Sequence, residues 1–177
     1  MTIDSTAKNQ SFLSADCNFE NGTCGWQHEE GSLTKWQLGK PNNTEGEPSN
    51  DHTYSGWKSS TDPVTGSYMY ITANQQEHVT AQITVNIKES NVSRCLSLWH
   101  MASKNYSGSL NVITTKCDKG IEKLRNTTNT NFAEEWTMST VGIEGGVYQI
   151  VIEGAWTNIS LGFLVIDDIK MNETDCP

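Results

Sequence analysis

Ala81-Gln-Ile-Thr-Val-Asn-Ile87 alternates without a break: Ala81, Ile83, Val85 and Ile87 fall on one face, Gln82, Thr84 and Asn86 on the other. A period of two marks a strand with one dry and one wet face, because successive side chains of a strand point to opposite sides. Working outward, residues 68–72, 96–101, 110–114, 147–152 and 161–169 predict further strands, and helical periodicity is nearly absent. Residues 163–166 are apolar on both faces, which predicts a central, buried strand. Residues 39–50 (with Pro41 and Pro48), 103–108 and 126–131 are rich in turn formers. Short strands joined by polar turns predict an all-β fold, an antiparallel two-sheet β-sandwich. The chain has 177 residues, against the roughly 100 that an immunoglobulin sandwich needs. That length favours a sandwich of jelly-roll type.

Residues 1–15 lack both a basic start and an apolar run, so they read as an N-terminal extension or an artificial tail rather than a signal peptide. Residues 16–177 read as one domain with no internal repeat. The longest apolar run, 161–166, is far short of the roughly 20 residues of a bilayer helix, so direct membrane insertion of this chain is not expected. The net charge of −9 opposes binding to nucleic acid, whose phosphates would be repelled.

The compartment is read from acceptor sites for N-linked glycans. Asn-x-Ser/Thr occurs at Asn9, Asn21, Asn42, Asn91, Asn105, Asn126, Asn158 and Asn172. The chain's sixteen Asn and thirty-seven Ser and Thr would give about three such sites by chance. An excess of this size predicts an extracellular or cell-surface chain carrying N-linked glycans. The five cysteines, Cys17, Cys24, Cys95, Cys117 and Cys176, include no Cys-x-x-Cys pair, which removes the main support for zinc-ribbon and thioredoxin-like readings.

Cys17-Asn-Phe-Glu-Asn-Gly-Thr-Cys24-Gly-Trp26 resembles the opening of MAM domains, the extracellular modules of meprins, neuropilins and receptor tyrosine phosphatases. The likeness runs on through Trp36, Asn50-Asp-His-Thr53 and Gly66-Ser-Tyr-Met-Tyr70. It continues with Cys95-Leu-Ser-Leu-Trp-His-Met101, Gly108-Ser-Leu-Asn-Val112 and Trp136, and closes with Leu161-Gly-Phe-Leu-Val-Ile-Asp-Asp-Ile169 and Cys176. Each piece is weak alone; their order and spacing make the set specific. The resemblance implies a jelly roll with Cys17 bonded to Cys24 and Cys95 to Cys176. It also implies a receptor-ectodomain module for cell adhesion, protein interaction or oligomerisation, with a protein partner that includes a second copy of itself. Cys117 lies outside the family's four-cysteine pattern and Asn18 stands where Asp is usual.

A structural Ca2+ is the sharpest chemical expectation. Hard cations gather several oxygens, with carboxylates among them. Glu20, Asp51 and Asp168 lie in the N-terminal, middle and C-terminal signatures. Capping or pairing roles for these acids are the plainer alternative. Cys117, beside the turn-like Asp118-Lys-Gly120, reads as an intermolecular disulfide giving a covalent dimer, or as a free thiol. His28, His52, His78 and His100 show no metal-ligand spacing, and His100 beside Trp99 is expected to pack or hydrogen-bond.

Catalysis is not expected. No Gly-x-Ser-x-Gly, Walker A or Gly-x-Gly-x-x-Gly motif is present. The alternative to protein recognition is a carbohydrate-binding jelly roll, with Trp57 and Trp156 as ligand-contact rings.

Overall fold

The alternation around Ile83 is realised as an eight-residue strand with every second side chain buried. In the computed structural model the described residues are 13–29, 33–41, 48, 51–53, 66–74, 79–116, 122–129, 134–157 and 159–177; residues 74 and 122–129 are described through their backbone alone. The strands are β1 (Gln27–His28), β2 (Gln37–Gly39), β3 (Tyr68–Asn74), β4 (Val79–Asn86) and β5 (Arg94–Ala102), then β6 (Gly108–Lys116), β7 (Glu122–Asn129), β8 (Thr137–Ile143), β9 (Val147–Trp156) and β10 (Leu161–Asn172). They form two five-stranded sheets, β1-β4-β9-β6-β7 and β2-β3-β10-β5-β8. All pairings are antiparallel. The chain crosses repeatedly from one sheet to the other, as expected of a jelly roll.

The sheets meet through their alternate apolar positions. Ile83, Val85, Leu110, Val112, Ile150 and Ile152 come from the first sheet; Met69, Ile71, Leu96, Leu98, Leu164 and Ile166 come from the second. Trp36 is buried between them, and its Nε1 donates to the Ala81 carbonyl at 3.0 Å. Gly154 faces Ile71, Trp36 and Leu164 so closely that a Cβ would collide with the Ile71 methyl. At about 25 cal/mol per Å², each fully buried aliphatic side chain contributes roughly 1.5–3 kcal/mol, and this shared interior is what holds the sheets together.

The six expected strands are all present, and the strand predicted to be central, β10, lies between β3 and β5. Four strands went unpredicted. Residues 126–131, read as turn-rich, instead lie largely in β7, an edge strand whose sequence Glu-Lys-Leu-Arg-Asn-Thr-Thr-Asn offers one apolar residue to a pattern search. β8 is an edge of the second sheet, with three exposed outward residues.

The two outer faces differ. On the second sheet, Tyr68, Met101 and Val165 are buried with Tyr70, Trp136 and Phe163 packed around them, a small satellite core. The segment between β2 and β3 contributes to its cover: the Tyr68 hydroxyl donates to the Lys40 carbonyl at 3.2 Å, and His52 stacks on Trp99. On the first sheet the outward residues of the central strands are mostly polar and hydrogen-bond to one another.

Both expected disulfides are formed. Cys17 and Cys24 have Cα atoms 5.6 Å apart, and Cys95 and Cys176 4.9 Å apart. In the chain-entropy model the second link, closing 81 residues, contributes on the order of 4 kcal/mol and the first, closing 7, roughly 2–3. Among the expected glycan sites Asn21, Asn91, Asn105 and Asn172 are exposed at strand ends or in connecting loops. Asn126 falls within β7, while Asn9, Asn42 and Asn158 lie outside the described residues, as do Trp57, Cys117 and His78.

Candidate functional site

The three signature segments expected to converge do meet, around the middle of β10. Cys17 bridges to Ile169 by two backbone hydrogen bonds, 2.9 and 2.8 Å, which bring the Cys17–Cys24 loop beside that strand. Phe19, at φ 56°, turns into the core and is fully buried. The next residue, Glu20, accepts a hydrogen bond from the Ser67 backbone N–H at 2.8 Å, tying the loop to the start of β3. Gly66 precedes it at φ +107°, a backbone conformation that L side chains rarely adopt. A Cβ at Gly66 would also run into the carboxylate of Asp51, so the glycine is required by both backbone and neighbour.

β10 carries a bulge here: its register with β5 slips between Asp167 and Lys170, and Asp168 sits at φ 43°. A bulge adds one residue to one strand and re-aims its side chains. Asp167 and Asp168 therefore reach different surroundings. Asp167 is fully buried. Its Oδ1 accepts from the Asp168 N–H at 2.7 Å and its Oδ2 from the His52 N–H at 3.0 Å. Burial is the main force pushing its pKa up, to about 8; the charges of Asp168 and Asp51 add to the rise, and the two backbone donors oppose it. Asp51 is itself fully buried, so two carboxylates share a dry region.

Asp168 faces the loop instead. Its Oδ2 lies 2.6 Å from His52 Nδ1, and both its oxygens are 3.1 Å from the Thr53 hydroxyl. The His52 ring stacks on Trp99, centroids 3.8 Å apart, and meets Trp136 edge-on at 5.9 Å. Of the three acids expected at a cation, Asp168 is engaged by His52 and Thr53, Glu20 by the Ser67 N–H, and Asp51 stands beside Asp167. Among the described residues no three His, Cys, Asp or Glu side chains form a group that could hold a metal. The bulge sends Asp168 to His52 and puts its neighbour Asp167 beside Asp51.

Trp156, expected as an exposed ligand-contact ring, is a correction. It ends β9 on the core face and is 3% exposed, because the alternation Ile150, Ile152, Gly154, Trp156 runs on past the point where the apolar pattern fades. His100 does hydrogen-bond, as expected: its Nε2 lies 2.8 Å from the Ser139 hydroxyl, and burial pushes its pKa down to about 4. On the opposite outer face Glu153 is 2% exposed, with Oε2 receiving Gln82 Nε2 at 2.6 Å and Oε1 receiving Asn111 Nδ2 at 3.0 Å. This buried carboxylate escaped the sequence reading. Its only signal was a charged residue within an otherwise apolar run, Ile150 to Trp156.

The architecture is that of a disulfide-linked jelly-roll module, with strand-end loops presented on a rigid double sheet. The family model for the MAM domain (meprin/A5/mu) matches residues 17–177, and the chain belongs to that family. It is 24% identical to neuropilin-1 of Xenopus laevis over 163 residues, a match covering 87% of this chain and 16% of that protein. The chain thus spans about a sixth of that relative's length. Among solved structures, the cleaved adhesin domain K3 of Lys-gingipain from Porphyromonas gingivalis aligns at TM-score 0.59 and 12% identity, covering 89% of this chain and 97% of that one. A xylan-binding CBM22-2 domain from Paenibacillus barcinonensis aligns at 0.53 and 11%, covering 90% and 98%. At such identities these two likenesses speak to the fold alone. No helix among the described residues is long and apolar enough to cross a membrane.

Proposed function

We propose that this domain is a non-catalytic interaction module of a secreted or cell-surface protein, binding a protein partner through its glycan-free surface. The observation that carries the reading is the MAM match across residues 17–177 together with both of the family's disulfides formed on the sandwich. Such bonds persist in oxidising compartments. The exposed Asn21, Asn91, Asn105 and Asn172 suit the same compartment, and glycans there would confine contacts to the sheet faces and edges. The test is to load the glycosylated domain on a fluorescent carrier, so that avidity reveals weak binding, and apply it to intact cells and to beads bearing the same domain. Saturable binding that survives enzymatic removal of the target's glycans supports the reading; no binding to either would sink it.

Carbohydrate binding is the second reading, favoured by the fold shared with a xylan-binding module and by the polar outer face of the first sheet. Burial of Trp156 removes one of its two expected rings. Binding abolished by glycosidase treatment of the target would favour it over the first.

The cation expectation takes an altered form. Asp51 and Asp167, rather than Asp168, are the carboxylates we propose for a structural Ca2+, completed by carbonyl or water oxygens, since hard cations accept such ligands. A bound cation would keep both acids ionised in a dry region that otherwise favours a proton on Asp167.

A further inference from the structure

The two sheets have four edges, and three are guarded in the ways by which proteins prevent strand-to-strand association, brevity and charge. β1 has two residues and β2 three. β7 is long but carries Glu122, Lys123 and Arg125. β8 has seven residues, Thr-Met-Ser-Thr-Val-Gly-Ile, with no charge and no proline. Thr137, Met138, Thr140 and Gly142 are exposed along it, Met138 at 51%. Half the backbone N–H and C=O groups of an edge strand point away from its one neighbour, a ready template for another strand.

We propose that β8 is a pairing edge and that its occupant is β8 of a second copy of this chain, antiparallel about Thr140. This rests on the interaction-module reading and names its partner and surface. The register follows from the strand's own sequence. Centred on Thr140, antiparallel pairing sets Met138 of each copy opposite Gly142 of the other, on the outer face where Met138 neighbours Trp99 and Gly142 neighbours Cys95. A Cβ at Gly142 would meet nothing within 4 Å, so there is open space for the protruding methionine. The fit is reciprocal, as a two-fold interface demands, and it closes the assembly: the sheets fuse into one of ten strands that ends at the short β2 of each copy.

Charge selects the same occupant. The chain carries −9, so a basic partner would be drawn to acidic surface, and β8 has none. Two copies repel at long range, but no like charges are brought opposite one another along the strand. Raising salt should therefore strengthen the dimer, whereas it would weaken a contact held by opposite charges.

The experiment uses the full glycosylated chain with Cys117→Ser, so that a covalent link through that residue cannot be mistaken for strand pairing. Sedimentation equilibrium should show a reversible dimer that tightens with salt, and Met138→Lys, at an exposed position, should weaken it at least tenfold while the melting temperature holds. Thr140→Cys in the same background should cross-link on mild oxidation, because directly opposed strand residues lie within the Cα spacing a disulfide needs. Three results overturn the proposal: a monomer at every concentration, a dimer indifferent to Met138→Lys, or a Thr140→Cys variant whose new thiol alkylates readily yet never cross-links. If cell binding persists under any of these results, β8 pairing falls while the interaction-module reading stands.

Discussion

Glu153 and Asp167 are buried carboxylates on opposite outer faces of the sandwich, and the two are accommodated by opposite means. Glu153, in the middle of the first sheet, is held by side-chain amides from both neighbouring strands, Gln82 on β4 and Asn111 on β6. Asp167, in the second sheet, is held by two backbone N–H groups and stands near the charges of Asp51 and Asp168. An acid fixed by neutral side-chain donors is a structural link between strands. An acid crowded by like charges needs a proton or a cation to be comfortable. The comparison separates a face built for cohesion from a junction able to respond to its surroundings.

Removing Glu153 should have the largest effect. Glu153→Leu strands the buried Asn111 amide and the half-buried Gln82 amide and should cost about 3 kcal/mol in urea unfolding, with Glu153→Gln, which keeps one acceptor, costing roughly half as much. A cost below about 1 kcal/mol for the leucine variant would show that the amides find other partners and that the cohesive role is wrong.

Asp167 should reveal itself through pH. The folded protein holds its proton up to about pH 8, whereas the unfolded chain loses it near 4. Between these values the native state binds more protons, so stability falls as pH rises, by up to ~1.4 kcal/mol per pH unit. His100, held down to about 4, acts oppositely below its unfolded value of 6.5, since only the unfolded chain then takes up a proton. The window from about pH 6.5 to 8 therefore isolates Asp167. Without divalent cations stability should decline across it, and Asp167→Asn should flatten the decline. Excess calcium should restore stability at pH 8 in the parent and not in the variant, if Asp51 and Asp167 hold the ion. A flat parent profile would place Asp167 alongside Glu153 and dissolve the contrast.

His52→Ala removes the stack on Trp99 and the partner of Asp168, and should cost about 1 kcal/mol by thermal melting. The smallest change is expected from Tyr70→Phe, whose hydroxyl reaches Gln37 at the exposed margin, within ~0.5 kcal/mol of the parent. A large loss there would mean that the margin of the second sheet is as tightly bound as its interior.

Much of this molecule was legible because burying one face of a strand writes a period of two into the sequence. β4 was read from that period, the centre of β10 from a run apolar on both faces, and the disulfides from the family likeness. Edge strands escape such a reading: β7 and β8 need less apolar surface, and β8 shows two fully or largely buried aliphatic residues, Val141 and Ile143, among polar ones. Trp156 was misplaced because Gly154, small to make room for Ile71 and Trp36, interrupts the apolar run that would have carried it into the core. The different surroundings of Asp167 and Asp168 have a sharper cause. A single bulged residue reverses which neighbour faces inward, and nothing in Asp-Asp-Ile announces where the extra residue sits.

The bridge between Cys17 and Ile169 has an architectural consequence. Asp16 also accepts the Met171 N–H, and Cys176 is anchored to Cys95 where Asn172 pairs with that same strand, so the opening and closing stretches of the domain lie side by side at one pole. The loop around Asn105, joining the far tips of β5 and β6, occupies the opposite pole and is tied down there, its Asn105 carbonyl accepting the Leu161 N–H at 3.0 Å.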